Sequence, residues 1–360
     1  MKIFVDIGHP AHVHYFKNTI IILSGDGHQF CITARDKDVT HQLLKAYHIS
    51  FFNRGRGSNS LAGKLFYLLQ TNLRIYKIAK TFRPDLFLSF ASPYAAQVSK
   101  MIKAPHIAFT DTEHAMLGNA LFLPFSDVVI TPLVFHDDLG ENHIRFNGFM
   151  ELCYLHEQYF TPDDNVLGQL NLSKNDKFVI IRLVSWNASH DIGQTGFYQD
   201  SLVKLVEIIK KYAKVCITSE GTIPTELEKY KLNINPAVMH HILAHAALFI
   251  GEGATMASEC AMLGTPAIYV NTLSAGTIED QENKGLLYSY RNSKGVIEKA
   301  EEILRDKNSK QKQINSSKNY LKNKINVTKF INWFITNYPR SKKRLIKDPL
   351  YQNIFRNNLD

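Results

Sequence analysis

Cysteine is scarce in this chain. The four residues among 360, Cys31, Cys153, Cys216 and Cys260, lie far apart and form no Cys-x-x-Cys pair, which excludes a metal knuckle or redox couple of that kind. Buried thiols are the reading that remains. Long apolar runs are lacking too: none reaches the roughly 20 residues of a membrane-spanning helix. Met1-Lys2 leads straight into the strand-like Ile3-Phe4-Val5 rather than into a secretory leader. Together these absences predict a cytoplasmic protein. Acidic residues are absent between 61 and 82, and from 305 to 360 fourteen Lys and Arg face only Asp306, Asp348 and Asp360. That last stretch carries +11 of a net +9, leaving about −2 for the rest. The basicity argues against a nucleic-acid channel through the core. It suits a basic flank against anionic lipid, or a solubilising tail.

What is present is a globular composition, 45% hydrophobic and 21% charged, in a chain long enough for two ordinary domains. Strand-like runs at 1–6, 29–33, 86–89, 106–109 and 128–130 alternate with helix-like stretches such as 13–23 and 37–47. This rhythm predicts a parallel sheet wrapped by helices. Its ligand loops belong at the C-terminal ends of strands, which places 8–14, 89–94 and 110–114 along one wall. A turn-rich stretch around 151–163 reads as a linker, and the alternation restarts at 177–184 and 215–219. The Lys-, Asn-, Gln- and Ser-rich run at 307–326 reads as an exposed helix.

The chain is organised around 246–270. An apolar run ends at Ile250 and breaks into Gly251-Glu252-Gly253; a helix then begins near Thr255, and Gly264-Thr265-Pro266 leads into another strand. Glycine at 251 and 253 lets backbone approach a ligand, and the helix start offers unpaired N–H groups to an anion. Glu259, about one turn further on, suits a vicinal diol, so the pair together suggests a nucleotide. Glycines that only let helix and strand pack, with Glu259 in solvent, are the plainer alternative.

Gly253-Ala254, Ser258-Glu259 and Gly264-x-Pro266-Ala267-Ile268 resemble the donor-site signature of glycosyltransferases of two-domain GT-B architecture, notably the N-acetylglucosaminyl transferase of lipid II synthesis. Over roughly 1–300 the chain also resembles a family of glycosyltransferase-like proteins of unknown function from bacteria and archaea. Asp6-Ile7-Gly8-His9-Pro10-Ala11-His12-Val13, Ile32-Thr33-Ala34-Arg35-Asp36, Ser92-Pro93-Tyr94-Ala95-Ala96, Asp111-x-Glu113-His114-Ala115 and Trp186-x-Ala188-Ser189-His190-Asp191 carry that likeness. The resemblance implies an α/β fold of two Rossmann-like doubly wound domains facing a cleft. They are expected at 1–150 and 164–325, with a linker at 151–163 and a C-terminal helix and basic tail at 326–360 crossing back to the first domain. It further implies that Gly253 and Ala254 face a nucleotide diphosphate and Glu259 holds the ribose. Gln281 and Glu282 would grip the donor sugar, and His12, after the turn at Gly8, would face the acceptor as base. The family commonly has asparagine where this chain has His9 and His14.

The remaining candidates come from the residues themselves. His9, His12 and His14 crowd one loop, but no acid or thiol joins them, so hydrogen bonding is a plainer role than metal binding. Asp111, Glu113 and His114 follow a strand; Asp111 would orient His12, act as base itself, or cap the next helix. Arg182 with Ser185 and Trp186 would balance a leaving diphosphate, unless Arg182 is held in a salt bridge. Within 61–82, Leu65, Phe66, Leu69 and Leu73 with Lys64, Arg74, Lys77 and Lys80 suit a bilayer interface or, equally, a packed helix. No Asp-x-Asp pair stands in a suitable loop, so neither a metal nor a cofactor is expected.

The function expected is transfer of a sugar from a nucleotide-diphosphate donor, with UDP the first choice of nucleotide, to a saccharide or lipid-linked acceptor of an envelope polysaccharide, with peripheral contact to anionic membrane and none to nucleic acid. A nucleotide-sugar 2-epimerase or hydrolase is the first alternative, and a non-catalytic nucleotide-sugar or saccharide-binding protein the second.

Overall fold

A computed structural model of the protein describes residues 1–58, 60–113, 115–184, 199–273 and 275–356. Two compact units emerge, one of Met1–Tyr154 with the stretch from Lys324 onward, the other of Leu155–Asn323. In the first, the chain runs β1 (Lys2–Ile7), α1 (Pro10–Gly25), β2 (Gln29–Ala34), α2 (Thr40–Ala46), β3 (Phe52–Asn53), α3 (Leu61–Phe82), β4 (Leu86–Phe90) and α4 (Pro93–Ile102). It continues with β5 (His106–Phe109), α5 (Met116–Phe122), β6 (Val128–Pro132), β7 (His143–Phe146) and, at the unit boundary, α6 (Leu152–Leu155). The strands pair in parallel in the order β3-β2-β1-β4-β5-β6-β7. The order reverses between β1 and β4, the place where ligands of such sheets bind.

Side chains alternate across these strands and so divide the helices between two faces. Ile75 and Ala79 of α3 and Ala95 and Val98 of α4 cover Phe4, Cys31 and Phe87, while Phe122 of α5 covers Ala108 and Val129. Phe109, pointing the other way from Ala108, meets Phe16 of α1.

The second unit contains β8 (Phe178–Leu183), α7 (Gln199–Ile209), β9 (Lys214–Ser219), α8 (Met239–His245), β10 (Leu248–Gly251) and α9 (Ala254–Leu263). β11 (Ala267–Val270), α10 (Gly276–Asn283), β12 (Tyr288–Tyr290), α11 (Val296–Arg305) and α12 (Ser309–Leu321) complete it. Its parallel order is β12-β11-β10-β8-β9, with the reversal between β8 and β10. Val179, Ile181, Leu248, Ile250, Ile268 and Val270 form the sheet side of one continuous core. Strands covered on both faces account for the unbroken apolar runs in the sequence.

The chain then supplies α13 (Val327–Thr336) and α14 (Arg340–Lys347) to the first unit. Phe330 stacks on Phe146, and Thr328 Oγ1 donates to the Cys153 carbonyl.

One expectation is corrected. The polar run at 307–326 forms a helix, but α12 buries one polar face. Gln313 Nε2 donates to Leu286 O, Ser317 Oγ to Met262 O, and Lys310 Nζ to Ala246 O, so small polar groups satisfy carbonyls of the neighbouring turns. Burial there brings Lys310 down to about 7. The boundary between the units, after Tyr154, falls within the stretch 151–163 expected as a linker; residues 151–156 are buried, with Asn18 Nδ2 donating to Cys153 O. All four cysteines are buried free thiols. No described helix is long and apolar enough to cross a membrane.

Candidate functional site

Each sheet brings some of the candidate residues to its own reversal point. In the second unit, β10 ends at Gly251 beside Arg182 of β8. A Cβ on Gly251 would lie 2.6 Å from Phe249 Cζ and 2.9 Å from Arg182 Cβ. The sequence assigned Gly251 to ligand approach; the structure corrects this, because the space beside it is filled by the protein's own side chains. Gly253 is different. Its nearest neighbour, Val184 Cγ1, would stand 3.6 Å from a Cβ, and Gly253 is the N-cap of α9 with no side-chain cap among the described residues. The first turn, with Ala254 and Thr255 half-buried, therefore presents amides and the positive end of the helix dipole.

Glu252, to which the sequence reading gave no role, holds this turn. Its buried carboxylate accepts from Val184 N at 2.9 Å, and Asn271 Nδ2 donates to its carbonyl at 3.0 Å, so the loop is tied to the strand ends on both sides. An acid between two glycines, answered by Asn271 just after β11, is the signal that could have revealed it.

Glu259 lies on α9 and is buried. It is not turned to solvent, the plainer alternative, but meets His240 of α8, with Nε2 and Oε1 3.0 Å apart. Arg182 realises its alternative role, pairing with Glu220 at the end of β9, which neutralises the charge expected to face a diphosphate. Gln281 is fully buried and donates to Ser258 Oγ at 2.7 Å, joining α10 to α9, while Glu282 accepts from Ser289 N at 3.0 Å. Gln281 thus uses its amide nitrogen in packing while its Oε1 has no hydrogen-bond partner among the described residues, and Glu282 is exposed, so the donor-sugar role expected of the pair stays a proposal. Ser185 and Trp186 lie outside the described residues, as does His114.

In the first unit the loop after β1 is closed by its own side chains. Gly8 N donates to His12 Nδ1 and Ala11 N to His9 Nδ1, with Pro10 opening α1. His14 turns away to Tyr47 and Tyr154. His9 and His12 keep their ring centroids 5.8 Å apart while His14 leaves them, and no grouping of three or more metal-ligating side chains occurs among the described residues. Because Nδ1 of His12 accepts from the backbone, its neutral ring carries the proton on Nε2. Burial, with Lys37 and Arg54 nearby, lowers its pKa to about 3. This corrects the assignment of His12 as base: it is a neutral hydrogen-bond donor.

Beneath Gly8 lies an ion pair that the sequence reading missed. Asp6 is fully buried at the end of β1 and accepts from Thr33 Oγ1 at 2.7 Å and Ser92 Oγ at 2.5 Å, with Arg54 Nε 3.0 Å away. The Arg54 guanidinium lies over Tyr94, 4.4 Å from the ring centroid. A Cβ on Gly8 would approach Arg54 Nη2 to 3.3 Å, so glycine is what lets this cation reach the loop. An aspartate ending the apolar run Ile3-Phe4-Val5 was the available signal.

Asp111 follows β5 and accepts from Thr112 Oγ1 at 3.0 Å. Burial, reinforced by the Glu113 charge, raises its pKa to about 6. It does not cap the next helix, since α5 begins at Met116 after Ala115. Glu113 Oε1 accepts from His136 N, at 3.4 Å, on the loop after β6.

Two α/β units of parallel strands, each with a reversal in its strand order, define the class: the fold is GT-B. Within it the chain belongs to the family described as Protein of unknown function (DUF354), whose model matches residues 1–329. It is 24% identical over 282 residues to Uncharacterized protein MJ0665 of Methanocaldococcus jannaschii, covering 74% of this chain and 81% of that one. The UDP-GlcNAc 2-epimerase of Neisseria meningitidis bound to UDP-GlcNAc superposes with a TM-score of 0.66 at 13% identity, over 93% of this chain and 100% of that one. The glycosyltransferase VinC in complex with dTDP gives 0.60 at 12% identity, over 96% and 100%. At these identities the shared property is the fold.

Proposed function

We propose that the protein is a GT-B-type glycosyltransferase that moves a sugar from a nucleotide diphosphate, with UDP the first base to test, to a saccharide or lipid-linked acceptor in envelope polysaccharide synthesis. One observation carries the reading. At the reversal point of the second sheet, α9 starts behind Gly253 without a side-chain cap among the described residues, and Glu259 lies one and a half turns along it, bonded to His240. Such a helix start attracts a diphosphate, and the remaining lone pairs of a carboxylate oriented by His240 suit ribose hydroxyls.

In the proposed reaction an acceptor hydroxyl oxygen bonds to the anomeric carbon as the bond from that carbon to the diphosphate breaks. The nucleotide leaves with the electron pair, stabilised by the amides at Ala254 and Thr255. The acceptor proton passes to Asp111, whose pKa near 6 matches a base working close to neutral pH. The reading includes independence of divalent metal, so turnover withstands chelation.

Asp111→Asn is expected to lower turnover by about 10²- to 10⁴-fold with nucleotide affinity unchanged, and wild-type kcat/KM should fall as pH drops below about 6. Melting supplies an independent check. An acid whose folded pKa lies above its unfolded value of 3.8 loses stability as pH rises through 4 to 6, so the Asn variant should melt no lower than wild type at pH 7. A fully active variant would remove Asp111 from the mechanism. The same-fold Neisseria epimerase and the two acids on one loop, Asp111 and Glu113, favour a 2-epimerase or hydrolase as second reading. Proton NMR of UDP-GlcNAc incubated without acceptor separates them, because only those activities change the sugar unaided. A non-catalytic binding protein would bind UDP and turn over nothing.

A further inference from the structure

We propose that the outward face of α3, continued by the start of α5, docks on an anionic lipid bilayer. Along α3, Tyr67, Thr71, Ile75 and Ala79 recur every four residues on the buried side. The opposite side carries Leu65, Phe66, Leu69 and Leu73, between 58% and 67% exposed, and Met116 and Leu117 open α5 at 80% and 67%. Helix α4 packs against both α3 and α5, which puts all three on one face of the sheet. Helices α3 and α5 follow the C-terminal ends of β3 and β5, and Tyr67 in the first half of α3 donates to Gly55 O beside Arg54, which reaches Gly8, so this part of the face lies at the edge that carries the loops of Gly8 and Asp111.

Large apolar side chains scattered singly on a surface need no explanation, but several aligned along one helix do. The charge on that helix selects the occupant. Lys64, Arg74, Lys77 and Lys80 are all exposed, and no acid lies between Leu61 and Phe82. A second copy meeting this face through two-fold symmetry would set those cations against their own equivalents. Anionic headgroups attract them, while the Leu and Phe side chains enter the acyl boundary. The arrangement suits a helix lying in the interface, since no described helix is able to span. For its purpose, bringing the first unit's loops to a lipid-linked acceptor, the inference rests on the transferase reading; its physics rests on α3 alone.

The test is flotation of the full chain with vesicles of equimolar phosphatidylcholine and phosphatidylglycerol, and with phosphatidylcholine alone. Wild type should float with the anionic vesicles, release in high salt and ignore the neutral ones. Leu69→Asn with Leu73→Asn, both at exposed positions, should weaken partitioning by about tenfold or more with unchanged melting. Lys77→Gln with Lys80→Gln should weaken it less and remove much of the salt dependence. Wild type left at the bottom, or indifference to both double variants, overturns the proposal. So does a dimer that is abolished by the Asn pair in a protein that ignores vesicles. UDP binding, measured on the same samples, keeps the two readings apart: lost flotation with intact UDP binding sinks only the membrane face, and flotation without UDP binding sinks only the transferase.

Discussion

The turn after β1 and the turn after β10 share one plan, a buried parallel strand that breaks at glycine and enters a helix, yet they are finished in opposite ways. After β1 the protein closes the turn itself: His9 caps α1, Pro10 removes a donor, and His12 takes the Gly8 N–H. After β10 no described side chain caps α9, and the acid of the turn, Glu252, reaches sideways to Val184 instead of forward to the helix. A closed turn gives rigidity and displays side chains. An open one gives amides to whatever anion arrives. On the proposed transferase reading, the open turn belongs to the donor and the first unit to the acceptor.

The comparison breaks most readily at Asp6. Asp6→Ala would strand the Arg54 charge beneath the closed turn, an effect of about 3–5 kcal/mol, read as a loss of stability in urea unfolding. Folded protein should bind UDP as before, because the open turn is untouched. A substitution costing under about 1 kcal/mol would mean that solvent reaches the pair. The next largest effect distinguishes the two glycines of the open turn. Gly251→Ala meets Phe249 and Arg182 at under 3 Å and should destabilise by about 1–3 kcal/mol. Gly253→Ala meets nothing nearer than 3.6 Å, so its melting should hardly move while UDP affinity falls a few-fold. Equal melting losses at both positions would show that Gly253 is structural as well.

The fold is legible in the sequence for a simple reason. Parallel strands covered on both faces read as unbroken apolar runs, Leu248-Phe249-Ile250 among them, and glycine marks their ends. The candidate site is legible only as residue types. Glu259 and His240 are 19 positions apart, Arg182 and Glu220 38, Gln281 and Ser258 23, and each side chain's availability depends on that distant partner. Periodicity carries no such information. Hence Arg182 and Gln281 read as ligand contacts when they are engaged within their unit, and His12 reads as a base although its hydrogen bond from Gly8 N fixes it as a donor. Polar composition misleads in the same way for α12, where Gln313 and Ser317 are buried because they satisfy carbonyls. Helix α3 is the converse case. Its bounds and its acid-free face follow from spacing alone, but only the structure shows Leu69 and Leu73 turned to solvent.

Isothermal titration of UDP into wild type and into Glu259→Gln tests the open turn most directly. The account predicts that wild type binds and that the Gln variant, with an amide that still fills the place beside His240, binds at least tenfold more weakly at unchanged melting, about 1.4 kcal/mol. Equal affinity in the two proteins, or no heat from wild type, would contradict it.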